Sequence, residues 1–269
     1  MAKTKNNHYL SQCISINFVE GYNPKTFWEY NPTTKEIRPK NINRLFAKRR
    51  AWGQGLESVI ADDFENKLGP ILKKYAECKI QRGRILGSKG IAEVQFNGFI
   101  IQNKSDKSTL SKLLCQTLLL QKSNTSPDEE SESKLSEIFH SPADFTQTLM
   151  LSLFEVNPRL NCPPLVLLDG MTFVFLVPEN DGNNIGHIGF MFPISESRLL
   201  LWTSRKEDMS YFAKRFMDIH SLNLSRINQH DKKGRIASAN REYLSKLIQD
   251  IDSFTEQGSV QIKTERTFS

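Results

Sequence analysis

Between Leu165 and Trp202 the chain is built from short apolar runs, each of strand length and each bounded by Gly, Pro, Asp or Ser. Runs of that length and bounding read as strands of a buried sheet. Leu165 to Leu168, the turn Asp169-Gly170, and Thr172 to Val177 read as a hairpin entering a buried sheet. Ile188 to Ser195 and Ser197 to Trp202 supply two further strands.

The N-terminal part adds to this sheet. From Cys13 to Val19, Ile14, Ile16 and Phe18 alternate with small or polar residues, the period of a half-buried strand, and Gly21 and Pro24 end it. Thr26 to Tyr30 and Lys35 to Arg38 flank Asn31-Pro32-Thr33-Thr34, which predicts a β-hairpin because the aromatic run stops at turn residues and then resumes as alternating sequence.

Helical spacing takes over elsewhere. Leu56, Val59, Ile60, Phe64, Leu68, Ile71, Leu72 and Tyr75 recur mostly at intervals of three and four, predicting an amphipathic helix from Gln54 to Cys78. Gly69-Pro70 predicts a kink or break inside it. Thr109 to Lys122 is a second helix. A third is expected to start near Ser141-Pro142, with Phe145, Leu149, Leu153 and Val156 on its face and Asn157-Pro158 as its stop. Arg82 to Phe99 permits strands or irregular connections. Ser123 to Ser133, rich in serine and acid, reads as a mobile loop. Helices from Asp208 to His220 and Ser225 to Asp250 complete the pattern, followed by a polar tail over 258–269. The expected fold is a single α+β domain over 1–257, a mainly antiparallel sheet with helices packed on one face. An alternative divides the chain near 123–133.

A chain of 269 residues can bury a core without staples. Its four cysteines form no Cys-x-x-Cys pair and its opening is polar, which points to a reducing cytosol. No apolar run approaches the ~20 residues of a membrane span. Thirty-six Lys and Arg oppose thirty Asp and Glu, a formal charge of +6. Much of the excess lies in one block, where Lys35, Arg38, Lys40, Arg44, Lys48, Arg49 and Arg50 face the single acid Glu36, with Phe46 and Trp52 beside them. Such a block can neutralise phosphates while rings stack on bases. The plainer reading is a solvated basic surface.

The opening Asn7-His8-Tyr9-Leu10-Ser11-Gln12 resembles the start of an uncharacterised bacterial family, a domain of unknown function whose members begin His-Tyr-Val-Pro-Gln-x-Tyr-Leu-x-x-Phe. The hairpin strand around Trp28 to Asn31 is similar to the family's Trp/Tyr-x-Tyr-Asp strand, and Phe192-Pro193-Ile194-Ser195 to its Phe-Pro-Leu-Ser strand end. The resemblance implies a glutamate-rich helix whose two recurrent acids fall at Glu57 and Glu65. It implies no reaction. One departure matters: where the family has a Ser-Asp-x-Pro-like turn, this chain reads Val177-Pro178-Glu179-Asn180-Asp181-Gly182, without the serine-aspartate pair.

The chain carries no phosphate-cradling Gly-x-x-x-x-Gly-Lys-Ser/Thr, no Gly-x-Ser-x-Gly and no His-Glu-x-x-His. The five histidines are isolated, without metal-ligand spacing, and Cys78 and Cys115 read as core residues. His8 is the best catalytic candidate, since an imidazole at a strand start can move protons or bind a divalent metal ion. Its plainer role is to tie the N-terminus to the sheet, as Glu57 and Glu65 can be acids on a wet helix face. Two functions follow as expectations. One is a metal-dependent nuclease-like effector, with His8, Glu57 and Glu65 at the metal and Arg38, Lys40, Arg44, Lys48, Arg49 and Arg50 on nucleic acid. The other is a non-enzymatic binding or regulatory subunit, its protein partner meeting the basic segment and the 123–133 loop.

Overall fold

The computed structural model describes residues 6–8, 12–19, 26–45, 47–49, 64–80, 82–85, 94–122, 144–156, 163–169, 172–178, 185–215, 218–229 and 234–256. The first half contains β1 (Asn6–His8), α1 (Gln12–Ser15), β2 (Thr26–Asn31), β3 (Glu36–Asn41), β4 (Ala47–Arg49), α2 (Asn66–Glu77), β5 (Arg82–Ile85), β6 (Val94–Ile100) and α3 (Lys104–Lys122). The second contains α4 (Asp144–Thr148), β7 (Met150–Glu155), β8 (Leu167–Leu168), β9 (Phe173–Pro178), β10 (Ile185–Pro193), β11 (Arg198–Thr203), α5 (Lys206–Arg215), α6 (Ile219–Gln229), β12 (Ile236–Ser238) and α7 (Arg241–Glu256). Two 3-10 turns, Ile16–Phe18 and Ile42–Arg44, lie among them. The fold is α+β. Its sheets are ordered β1-β4, β5-β6-β7-β11-β10-β9 and β3-β2-β12-β8, and neighbouring strands run antiparallel.

The β2–β3 hairpin forms as its turn chemistry dictates. Asn31 Oδ1 accepts the Thr33 N–H at 2.9 Å, and Lys35 takes the left-handed backbone (φ 55°) that lets the chain reverse. The β10–β11 hairpin is likewise present, with Phe190 opposite Trp202 and Pro193 opposite Leu199.

Other segments differ from the sequence pattern. Cys13 to Val19 is helical rather than a strand: Ile14 and Phe18, one turn apart, are buried, while Ile16 is 47% exposed. Helix α2 runs unbroken through Gly69-Pro70. Pro70 stands in the second turn, where its missing N–H removes one bond of the ladder without ending the helix. Leu149 to Val156 is not a helix face but mostly β7, in which Leu151, Ser152, Leu153 and Phe154 are all buried. A strand covered on both faces loses its period-two signature. Leu165–Leu168 and Thr172–Val177 do not pair with each other, because β8 joins β12 and β9 joins β10 in another sheet. Within Ser225 to Asp250 the helix is interrupted by β12.

Helices lie against both faces of the six-stranded sheet. On one, Phe212 of α5 meets Phe154 edge-on at 6.0 Å and Phe175 at 5.0 Å, and Ser152 Oγ lies 3.4 Å from Met209 Sδ. On the other, Tyr75 of α2 meets Phe99 of β6 at 6.3 Å. Arg198 Nη1 holds α2 to the sheet, donating to its last-turn carbonyls of Tyr75 (2.9 Å) and Ala76 (2.6 Å), while Nη2 reaches Glu155 at 3.4 Å. Positive charge at a helix C-terminus is favourable there. The Tyr75 hydroxyl and Lys74 Nζ both donate to Asp106 Oδ2 at 2.7 Å, joining α2 to α3. The four-stranded sheet is also sandwiched. Phe27, Leu167 and Ala237 belong to the main core, whereas Leu168 and Ile236 pack with Leu224 and Ile227 of α6 and Leu244 and Leu247 of α7, with Trp28 and Tyr30 against them.

Candidate functional site

The ribbon β1–β4 brings the two ends of the N-terminal region into register: Asn6 opposite Arg49, Asn7 opposite Lys48, His8 opposite Ala47. Helix α1, which begins at Gln12, packs on both α2 and the turn Ile42–Arg44. The fit to α2 is close, since a Cβ on Gly69 would sit 3.4 Å from Cys13 Cβ. Glu65 immediately precedes α2, half-buried, in helical backbone and without a side-chain capping bond. Helix α1 thus packs against the segments that carry Arg44 and Glu65, while His8, Lys48 and Arg49 lie together on the β1–β4 ribbon. Glu57, Arg50 and the 123–133 loop lie outside the described residues, as do the side chains of His8, Lys48 and Arg49.

Arg38 and Lys40 each have an acid beside them, Arg38 at the surface and Lys40 at the edge of the core. Arg38 Nη2 is 2.6 Å from Glu36 Oε2 on the exposed edge strand β3. Lys40 Nζ is 3.7 Å from Oε1 of Glu29, a residue only 4% exposed that shares its strand face with Phe27. Arg235 Nη1 approaches the other Glu29 oxygen at 3.7 Å, and its Nε reaches Asp169 Oδ2 at 3.4 Å. Lys40, Glu29, Arg235 and Asp169 therefore alternate in sign across β3, β2, β12 and β8, at the strands or immediately beside them. Burial pushes the Asp169 carboxyl up, against the pull of Arg235. A Cβ at Gly234 would lie 2.7 Å from Asp169 Oδ1, so glycine there permits the approach. Charge counting along the chain missed Glu29, Asp169 and Arg235. The signal for Glu29 was a carboxylate on the Phe27 side of an aromatic strand. Arg44 stands exposed on its 3-10 turn.

A second polar constellation runs from the surface into the smaller core. Asp250 Oδ2 is 3.1 Å from His220 Nε2, and His220 Nδ1 is 3.4 Å from the Tyr243 hydroxyl. Asn223 Nδ2 donates to that hydroxyl and to Pro164 O, both at 2.8 Å, and its Oδ1 accepts the Val166 N–H at 3.2 Å and Arg226 Nη1 at 3.1 Å. Asp218 starts this helix, its carboxylate accepting the His220 N–H (3.2 Å), the Ser221 N–H (3.1 Å) and the Ser221 hydroxyl (2.6 Å). These residues are far apart in sequence across two helices and the start of β8, which is why none stood out as a motif.

Among the described residues no group of three or more His, Cys, Asp or Glu is placed to hold a metal ion. Cys13, Cys78 and Cys115 form no disulfide. No helix among the described residues is long and apolar enough to cross a membrane. Comparisons with protein-family models, curated proteins and solved structures return no match.

Proposed function

We propose that this protein binds nucleic acid through its N-terminal basic ribbon. The observation that supports the reading is the register of β1 with β4, in which Lys48 and Arg49 run beside Asn6 and Asn7 with Arg44 exposed on the preceding turn. Arg38 and Lys40 contribute less than the sequence suggested, because Glu36 and Glu29 already partner them. Arg44, Lys48, Arg49 and Arg50 are the phosphate contacts of this reading, and Phe46 and Trp52, which lie outside the described residues, are its stacking candidates. The reading is confined to binding because it rests on the basic ribbon alone; the side chains of His8 and Glu57, two of the three residues expected at a metal ion, lie outside the described residues. The competing reading is a non-enzymatic regulatory subunit with a protein partner.

Fluorescence anisotropy of a labelled single-stranded oligonucleotide separates the two. Four phosphate contacts give a log–log salt slope of about −3 between roughly 50 and 200 mM. Arg49→Glu with Arg50→Glu should lower affinity at least about 10-fold and flatten that slope by about half, whereas Arg38→Glu should change little. A parent protein that binds no oligonucleotide at low salt, or a double variant that binds as the parent does, refutes nucleic-acid binding and leaves the partner reading.

A further inference from the structure

Arg226 lies in the last turn of α6 with only 1% of its surface exposed. Its Nη1 is fully used, donating to Val166 O at 2.9 Å and to Asn223 Oδ1 at 3.1 Å. Nε and Nη2 meet no acceptor among the described residues, and none of their carboxylates pairs with the guanidinium. A buried cation in that condition is costly, and it is tolerated where something supplies the missing charge. Burial pulls the guanidinium down to about 9, so it still carries its charge at neutral pH.

The geometry of the unused edge is specific. Nε and Nη2 form the side-on fork of a guanidinium, whose two parallel N–H bonds match two oxygens of a carboxylate or phosphate. The fork is also held in place. Asn223, which orients Nη1, is anchored by the Pro164 carbonyl, the Val166 N–H and the Tyr243 hydroxyl. From there the chain Tyr243, His220, Asp250 leads outward to half-exposed groups. Val166, whose carbonyl Nη1 meets, belongs to the apolar cluster that holds Leu224, Ile227, Leu244 and Leu247, and a polar contact beside so apolar a core is strong.

We propose that Arg226 is the anchor of an oxyanion-binding site, taking one carboxylate or phosphate group through Nε and Nη2. The site is distinct from the basic ribbon, and the two are tested apart.

Thermal unfolding and titration calorimetry of the full chain would be run with sodium phosphate and sodium acetate, against sodium chloride at matched ionic strength. The parent should show a saturable stabilisation with at least one oxyanion. The phosphate and acetate arms decide which group is preferred. Arg226→Lys, which keeps charge but loses the fork, should weaken binding about 10-fold or more, and Arg226→Met should abolish it. Arg49→Glu with Arg50→Glu should leave it unchanged. No saturable effect of either anion overturns the proposal, as does one that survives in Arg226→Met or vanishes with the ribbon variant. Should the Arg226 variants fail to fold, the Arg226 Nε–H resonance of the parent answers the question. It should move on phosphate or acetate titration, and a resonance that stays put under both overturns the site.

Discussion

Replacing Asp106 tests the account of how α2 is joined to α3. Its carboxylate, on a residue 8% exposed, accepts the hydroxyl of buried Tyr75 and the ammonium of Lys74, each at 2.7 Å. A hydrogen bond to a charged group contributes about 1.5–3 kcal/mol, and a buried hydroxyl left without an acceptor costs about 1–3 kcal/mol, two figures that overlap rather than add. The Lys74 side chain is more than half exposed, so its ion pair adds at most about 1 kcal/mol. Asp106→Ala should therefore destabilise by about 2–4 kcal/mol. Asp106→Asn keeps an acceptor for Tyr75 and should cost about 1 kcal/mol, most of it from the lost charge.

The pH dependence adds an independent check. Burial alone would raise the Asp106 carboxyl, but the bonds from Lys74 and Tyr75 outweigh it and hold it below the usual range. Because the folded value lies below the unfolded one, the contribution of the charge is complete above the unfolded carboxyl range near ~3.9 and is lost as pH falls through the folded value. Urea denaturation followed by circular dichroism at pH ~7 and at successively lower pH should show the parent and Asp106→Asn converging in acid. A cost for Asp106→Ala below about 0.5 kcal/mol at neutral pH, or a gap to Asp106→Asn that does not narrow in acid, would show that the carboxylate does not hold these helices together.

Two further outcomes are expected. In Gly189→Ala the added methyl would overlap the ring of Phe175, which is itself packed against Phe212, so a loss of about 1–3 kcal/mol is expected by thermal unfolding, and an unchanged melting temperature would rule out so close an approach. Asp218→Ala removes three hydrogen bonds at the start of α6 and should cost about 0.5–2 kcal/mol. Burial opposes charge on Asp218, but the bonds from Ser221 and His220 prevail and lower its carboxyl, so this loss too should be full at neutral pH and fade in acid. Chemical denaturation of the variant and parent at both ends of that range decides it.

Those features of the fold whose causes are local were legible along the chain. Asn31 to Lys35 contains the turn that pairs β2 with β3, and Pro193 to Ser197 holds the reversal between β10 and β11, so neighbouring residues alone determined both hairpins. Thr109 to Lys122 had helical spacing, and Asn103 Oδ1, accepting the Asp106 N–H at 3.0 Å, starts that helix earlier than its apolar face announced. The rest waited on tertiary structure. Whether Leu149 to Val156 is strand or helix turns on both of its faces being covered, by α5 on one side and the helices around Tyr75 on the other, and burial on two faces erases periodicity. The candidate sites show the same division. A run of Lys and Arg is visible in sequence, and so is Glu36 two residues from Arg38, but the pairing of Glu29 with Arg235, and the line from Asp250 through His220, Tyr243 and Asn223 to Arg226, exist only once distant segments are packed. Ion pairs and hydrogen bonds act over a few ångströms of space, and chain order does not record which residues folding will bring within that distance.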